Sequence, residues 1–227
     1  LLPVHQALAP LFGLASGDPA PLALTRGHTV ACVGSAAMSC ALAVLVAPTQ
    51  AGSWAGVVGL PSCGVQAAAD LGVSLERTVF VADPTSGSRA SSQQADAAAV
   101  LSALVDGVDV LLLAHHVVNS LSPSLLRRLQ TRVQSRGGIL VVVNETNSST
   151  SSLSADIRLT ATTEQWQGVG SGHGHLQRRR VLLQLDGRRR ARTSAHSVWL
   201  PDHRGQLSSV ETTAENTGVV IPLRRVG

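Results

Sequence analysis

Residues 30–41 have the layout of a phosphate-binding loop but lack the residues that bind phosphate. An apolar strand runs into Gly34, a short turn follows, and an Ala-, Leu- and Val-rich helix comes next. In the motif G-x-x-x-x-G-K-[ST], backbone N–H groups cradle the phosphates, the lysine contacts the outer phosphates and the hydroxyl holds Mg²⁺. Aligned from Gly34, Ser39 replaces the second glycine, Cys40 the lysine and Ala41 the hydroxyl. The alternative for this stretch alone is an ordinary strand–turn–helix unit that never bound a ligand.

The carboxylates that a nucleotide hydrolase requires are missing as well. A magnesium carboxylate is expected after the apolar strand 108–114, where the chain has Ala114. Asp109 lies at the start of that strand and is expected to orient it. A water-activating acid is expected after the strand 54–58, where Gly59, Leu60 and Pro61 follow. Since four functional groups are absent together, the sequence predicts a protein without nucleotide hydrolysis, cofactor or metal.

Charge is distributed unevenly along the 227 residues, whose net charge is +4. All 18 basic residues are arginine. Residues 1–120 have a net charge of −4 and residues 121–227 a net charge of +8. This asymmetry indicates an acidic protein partner or nucleic acid on the second half, or equally an arginine-rich face that is only solvated. The three cysteines are widely spaced, which favours reduced thiols in a cytoplasm.

Apolar strands alternate with helical segments over most of the chain, and this predicts an α/β fold. The strands read as nearly continuous apolar runs, as expected for a mainly parallel central sheet flanked by helices. After residue 155, a further strand and a hairpin turning at Asp186-Gly187 predict antiparallel C-terminal strands. The predicted strands are 28–34, 54–58, 78–82, 108–114, 138–143, 156–160, 178–186 and 192–200, and the predicted helices are 38–47, 64–71, 91–105 and 122–135.

Three segments follow from this pattern. Residues 1–23 are predicted as a helical arm and linker, residues 24–206 as the core, and residues 207–227 as a C-terminal tail. The arm has an apolar stripe that packs either on its own domain or on a neighbour. No apolar run is long enough to cross a membrane, because a span requires about 20 residues.

Two surfaces are candidates for partner contact. The first is apolar: Val219, Val220, Ile221 and Leu223 beside Arg224 and Arg225 in the tail, with Leu8 and Phe12 of the arm. The apolar residues of the tail favour addition as a strand to the sheet edge of a partner. The alternative is that they add an edge strand to the protein's own sheet. The second is a basic surface for nucleic acid or an acidic partner: Arg178, Arg179, Arg180, Arg188, Arg189, Arg190 and Arg192. Because aromatic residues are few, specific single-strand binding is not expected.

The order of these parts resembles the RecA-fold core from about residue 24 to residue 200. The resemblance rests on Thr-Arg-Gly-His at 25–28, Ala-Asp-Leu-Gly-Val at 69–73, Val-Asp-Val at 108–110 and Val-Asn at 143–144. It implies a RecA-like core with a degenerate nucleotide site. The two DNA-contacting loops of recombinases are replaced by shorter segments at 115–124 and 145–154, so RecA-style filaments on DNA are not expected.

Within this fold, the chain is similar to the actinobacterial ImuA-type proteins, which are catalytically silent members of the mutagenic translesion-synthesis machinery. The similar stretches are residues 51–61, 155–159 and 166–176. The resemblance implies a damage-induced SOS protein of the cytoplasm, associated with the nucleoid during DNA damage and touching DNA weakly or indirectly. Its implied partner is an ImuB-like, Y-family-polymerase-related subunit, acting with an error-prone C-family polymerase at the sliding clamp. Two alternatives remain: a SulA-like inhibitor of FtsZ assembly, and a regulatory pseudo-ATPase that still binds nucleotide.

Overall fold

The computed structural model describes residues 1–12, 23–86, 90–145, 154–169, 174–187 and 193–210. The strands are β1 (Leu2–Pro3), β2 (Ala23–Leu24), β3 (Thr29–Val33), β4 (Ala55–Val58), β5 (Thr78–Val81), β6 (Val110–Ala114), β7 (Ile139–Asn144), β8 (Ile157–Val169), β9 (Gly174–Gly187), β10 (Ser194–Trp199) and β11 (Ser208–Ser209). The helices are α1 (Ala37–Gln50), α2 (Val65–Leu71), α3 (Ala90–Gly107), α4 (His115–Ser120) and α5 (Pro123–Arg136). Two 3₁₀ segments, Gln6–Phe12 and Leu75–Arg77, complete the elements of the described residues.

Nine strands form one mixed sheet in the order β11-β10-β9-β8-β3-β7-β6-β4-β5. Strands β3 to β8 pair in parallel, and β9, β10 and β11 are added antiparallel at one side. The predicted α/β fold is therefore confirmed, including the change to antiparallel pairing late in the chain. The central strands are buried along their whole length, since helices cover both faces.

The two faces of the central strands pack on different helices. One face packs on α1 and α2, where Leu45 and Leu71 join a large cluster with Val141. The other face packs on α3, α4 and α5, through a second cluster that includes Leu101 and Leu129. No helix in the described residues is both long enough and apolar enough to cross a membrane.

The N-terminal segment lies on the antiparallel side of the sheet. Residues Gln6–Phe12 form a 3₁₀ helix that contains Pro10 and contacts β9, β10 and β11. The structure corrects the assignment of Leu8 to a partner surface, because this side chain is 2% exposed in the protein's own core. Of the two alternatives for this stripe, packing on its own domain is observed, and Phe12 also packs against that core.

Two of the differences from the sequence prediction concern α4 and β8. The predicted helix 122–135 is preceded by a separate helix, α4, which begins directly after β6. The predicted strand 156–160 continues as β8 to Val169. Its pairing with β3 ends at Thr160, and beyond that residue β8 pairs with β9. The helix α5 itself begins and ends as predicted, with Ser122 accepting a hydrogen bond from the Leu125 N–H and Gly137 in the left-handed conformation at its end.

Candidate functional site

The turn between β3 and α1 is the position where a phosphate-binding loop would lie. Strand β3 ends at Val33 and α1 begins at Ala37, so three residues separate them. Ser39, Cys40 and Ala41 therefore lie within α1, where their backbone N–H groups follow the helix instead of forming a cradle. The motif requires four residues between its two glycines before the helix starts, and this turn has no room for them.

Strand β8 occupies the space in front of that turn. Gly34 has a φ of 104°, and a Cβ there would lie 2.5 Å from the Ala161 carbonyl oxygen. The Ala36 N–H donates to the same carbonyl at 3.0 Å, and the Gly34 N–H donates to the Asn144 carbonyl at 3.2 Å. The Thr163 N–H donates to Ser35 Oγ at 2.9 Å. Donors that would face a phosphate in a working loop are bonded to neighbouring strands.

Arg179 of β9 lies across the N-terminus of α1. Its Nη2 donates to Ser39 Oγ at 2.6 Å, and its Nε donates to the Leu200 carbonyl at 2.8 Å. The guanidinium carbon lies 5.0 Å from the centroid of the Trp166 ring. Arg179 is 8% exposed, and this burial lowers the pKa of its guanidinium. The structure thus corrects its assignment to a basic surface, because Arg179 is an internal residue.

The position aligned with the lysine faces the core. Cys40 is 1% exposed, and its thiol is hydrogen-bonded to Cys32 of β3. This hydrogen bond, together with complete burial, raises the pKa of Cys32 well above its ordinary value. A lysine at position 40 would meet apolar side chains of the sheet and not the turn.

The end of β6 is the position where a magnesium carboxylate was expected. Ala114 is buried at the end of β6, and α4 follows it at once. Asp109 holds the opposite end of this strand, as its sequence position indicates. Its carboxylate accepts hydrogen bonds from Arg26 Nη1 at 2.9 Å and from the Trp54 N–H at 3.1 Å.

A cleft of about 580 Å³ lies beside Pro61, at the C-terminal ends of β4 and β5. His116 Nε2 lies 3.1 Å from Asp83 Oδ2 at its rim. Burial alone would raise the pKa of Asp83, but hydrogen bonds from Thr85 and the neighbouring His116 hold it below the ordinary value. Burial raises the pKa of the Cys63 thiol in the same cleft, which disfavours the nucleophilic thiolate. The remaining lining is largely apolar: Val57, Leu60, Pro61, Val65, Phe80 and Val81.

The three consecutive arginines of β9 are all engaged within the chain. Arg178 Nε donates to Gln167 Oε1 at 2.7 Å, and its guanidinium carbon lies 4.0 Å from the centroid of the Trp199 ring. Arg180 Nε lies 3.0 Å from Glu164 Oε2. Both side chains stay half-buried on the sheet face opposite Arg179. The other proposed surface residues, Arg188, Arg189, Arg190, Arg192, Val219, Val220, Ile221, Leu223, Arg224 and Arg225, lie outside the described residues.

The role of Arg179 was missed in the sequence, although a signal for it was present. Successive strand residues point to opposite faces, and Val181, Leu183 and Leu185 share the parity of Arg179. All three are buried. A buried apolar stripe that begins with an arginine indicates an internal guanidinium, which requires acceptors within the protein.

Possible metal ligands do not converge in the described part of the chain. No group of three His, Cys, Asp or Glu side chains there could hold a metal ion. Of the two histidines at the start of α4, His116 contacts the carboxylate of Asp83.

Comparisons with known proteins agree with this architecture. The sequence matches the MT3502 N-terminal domain family over residues 19–148, which is more than half of the chain. No curated protein matches the sequence. Among solved structures, a crystal structure of the RadB recombinase is similar with a TM-score of 0.61 and 11% sequence identity, covering 91% of this chain and 97% of that chain. At this identity the match shows the fold alone, and it confirms the predicted RecA-like fold.

Proposed function

The chain belongs to the MT3502 N-terminal domain family, and from that premise we propose that it is a non-catalytic RecA-fold adaptor. The observation that carries the proposal is the occupied turn between β3 and α1. Its Ala36 N–H is bonded to Ala161, and the guanidinium of Arg179 lies over the helix that would receive phosphates. Because the backbone and side chains of this turn are bonded within the chain, we expect the protein to act by binding a partner at its surface.

Its partner, we propose, is an ImuB-like subunit related to Y-family polymerases, within a complex that contains an error-prone C-family polymerase and the sliding clamp. Support comes from the sequence stretches that resemble ImuA-type proteins. One of them, residues 51–61, runs from the end of α1 through β4 to the rim of the cleft. Another begins at Trp166, which lies against Arg179 and is exposed. In this proposal the protein serves translesion DNA synthesis in the cytoplasm after DNA damage.

Titration calorimetry with Mg-ATP tests the non-catalytic part of the proposal. No binding heat is expected, because the Ala36 N–H is bonded to Ala161, Arg179 is bonded to Ser39 on α1, and the lysine and magnesium carboxylate positions hold Cys40 and Ala114. The control is Arg179→Ala, which removes the guanidinium but adds no phosphate ligand. No binding heat is expected for this variant either. A dissociation constant in the micromolar range for the natural chain would favour the regulatory nucleotide-binding alternative.

Co-purification with candidate partners tests the adaptor part. The tagged chain is incubated separately with an ImuB-like subunit and with FtsZ, at equal concentrations and in the presence of nuclease. Retention of the ImuB-like subunit alone is expected. Retention of FtsZ alone would contradict the adaptor proposal and favour an inhibitor of FtsZ assembly.

A further inference from the structure

Strand β5 is an edge strand with uncovered apolar side chains. It pairs with β4 on one side, and no strand of the described residues pairs with its other side. Val79 is 40% exposed and Phe80 is 37% exposed. Such an edge presents unpaired backbone groups, which usually pair with another chain unless they are blocked.

Exposed apolar side chains concentrate at this end of the sheet. Eight large hydrophobic residues are exposed in the described part of the chain, and five of them lie on β5 or beside it. Trp54 lies under Arg77, whose guanidinium carbon is 5.7 Å from the ring centroid. Val65 lines the same cleft as Phe80. Exposed apolar side chains in this number at one edge of the sheet indicate an interaction surface. The five residues are Trp54, Val65, Leu75, Val79 and Phe80.

We propose that β5 pairs antiparallel with β5 of a second copy of this chain, about a two-fold axis at Phe80, so that two nine-stranded sheets join into one. Neighbouring strand residues point to opposite faces, so the exposure of both Val79 and Phe80 means that both faces are uncovered at this edge. A lone peptide strand covers only the edge. A second copy brings its own flanking residues to both faces.

Charge selects the register of this pairing. With the axis at Phe80, the residues that flank β5 come opposite each other: Arg77, at the end of the 3₁₀ segment, faces Asp83 of the second copy, two residues after the strand. The pair occurs twice by symmetry. With the axis one residue earlier, at Val79, Asp83 would face Leu75, and no oppositely charged side chains would meet. Asp83 carries negative charge at neutral pH and stays partly accessible at the end of β5, next to His116.

Molar mass by light scattering, over about a hundredfold range of concentration, tests the association. A reversible monomer–dimer equilibrium is expected for the natural chain. Val79→Lys should give a monomer throughout, because a lysine on an edge strand prevents further pairing. Leu176→Lys is the matched control, since Leu176 is exposed at the opposite end of the molecule, and it should dimerise normally. A natural chain that stays monomeric at every concentration overturns the proposal.

Disulfide trapping tests the register. In Phe80→Cys the two new cysteines face each other across the axis, at the Cα separation of about 4.5–5.5 Å that antiparallel pairs have and that a disulfide spans. The natural cysteines are buried and should not interfere. Ala82→Cys, whose residue faces Thr78, should not cross-link to itself. Failure of Phe80→Cys to cross-link overturns the register. If removing residues 211–227 abolishes the dimer, the tail of the second copy, and not its β5 strand, binds at β5. That result overturns the proposal.

Discussion

At the scale of single residues, the guanidinium of Arg179 joins three parts of the molecule. It bonds Ser39 on α1 and the carbonyl of Leu200 after β10, and it stacks near Trp166 of β8. Arg179→Ala leaves a buried carbonyl and a hydroxyl without their donor, so the free energy of unfolding should fall by about 1–3 kcal/mol. Urea denaturation measures this loss. Arg127→Ala, on the exposed face of α5, is the control and should change stability little. Equal effects of both substitutions would mean that the buried contacts contribute nothing.

Another residue-scale prediction concerns Asp202, which closes the loop after β10. Its Oδ1 accepts hydrogen bonds from the N–H groups of Arg204 at 2.8 Å and Gln206 at 3.0 Å. Burial alone would raise the pKa of Asp202, but these hydrogen bonds hold it below its ordinary value. The unfolded chain therefore binds the proton more readily, so the stabilisation exists above about pH 4 and is lost as pH falls. Denaturation of the natural chain and of Asp202→Asn at several acidic pH values should show a weaker pH dependence in the variant. Parallel curves would contradict this.

At the scale of elements, the close approach of β8 to the β3–α1 turn has a direct test. Gly34 and Gly52 both have positive φ, 104° and 94°, but only Gly34 has backbone within reach of a Cβ. Gly52→Ala should cost about 1 kcal/mol, the backbone term alone. Gly34→Ala adds a clash with the Ala161 carbonyl and should cost about 2–4 kcal/mol. Thermal unfolding of the two variants measures the difference. Equal losses would show that β8 can move away from the turn.

The strands and helices also show which features of the fold local sequence patterns can predict. Strands β3, β6 and β7 were predicted closely, because burial on both faces makes them continuous apolar runs. The short helix α4 was missed, since its six residues are too few for a helical period to be recognised. The loss of phosphate ligands was readable at Cys40. The occupation of the site was not, because Arg179 and Ser39 are separated by 140 residues and no local pattern encodes that contact.

At the scale of the whole molecule, the two edges of the sheet come from the two differently charged halves of the chain. The acidic first half of the chain supplies β5 at one edge, and the arginine-rich second half supplies β8 to β11 at the other. The two edges therefore offer different surfaces: the β5 edge exposes Val79 and Phe80, and the side formed by β8 to β11 carries the half-buried Arg178 and Arg180. A protein that joins partners through two separate surfaces fits the proposed adaptor role better than a protein with one cleft.

The C-terminal tail can be tested against this whole-molecule view. Removing residues 214–227 should leave the melting temperature and circular dichroism nearly unchanged, because the polar stretch before the apolar run is not expected to fold alone. The removed segment contains the run Val219, Val220 and Ile221, whose β-branched side chains favour pairing with a partner's strand. Capture of the ImuB-like subunit should then be lost. In the full chain, Val220→Asp should lose capture as well, and Glu215→Gln should keep it. A truncated chain that unfolds would place the tail in the core; one that folds and still captures the partner would place the docking surface elsewhere.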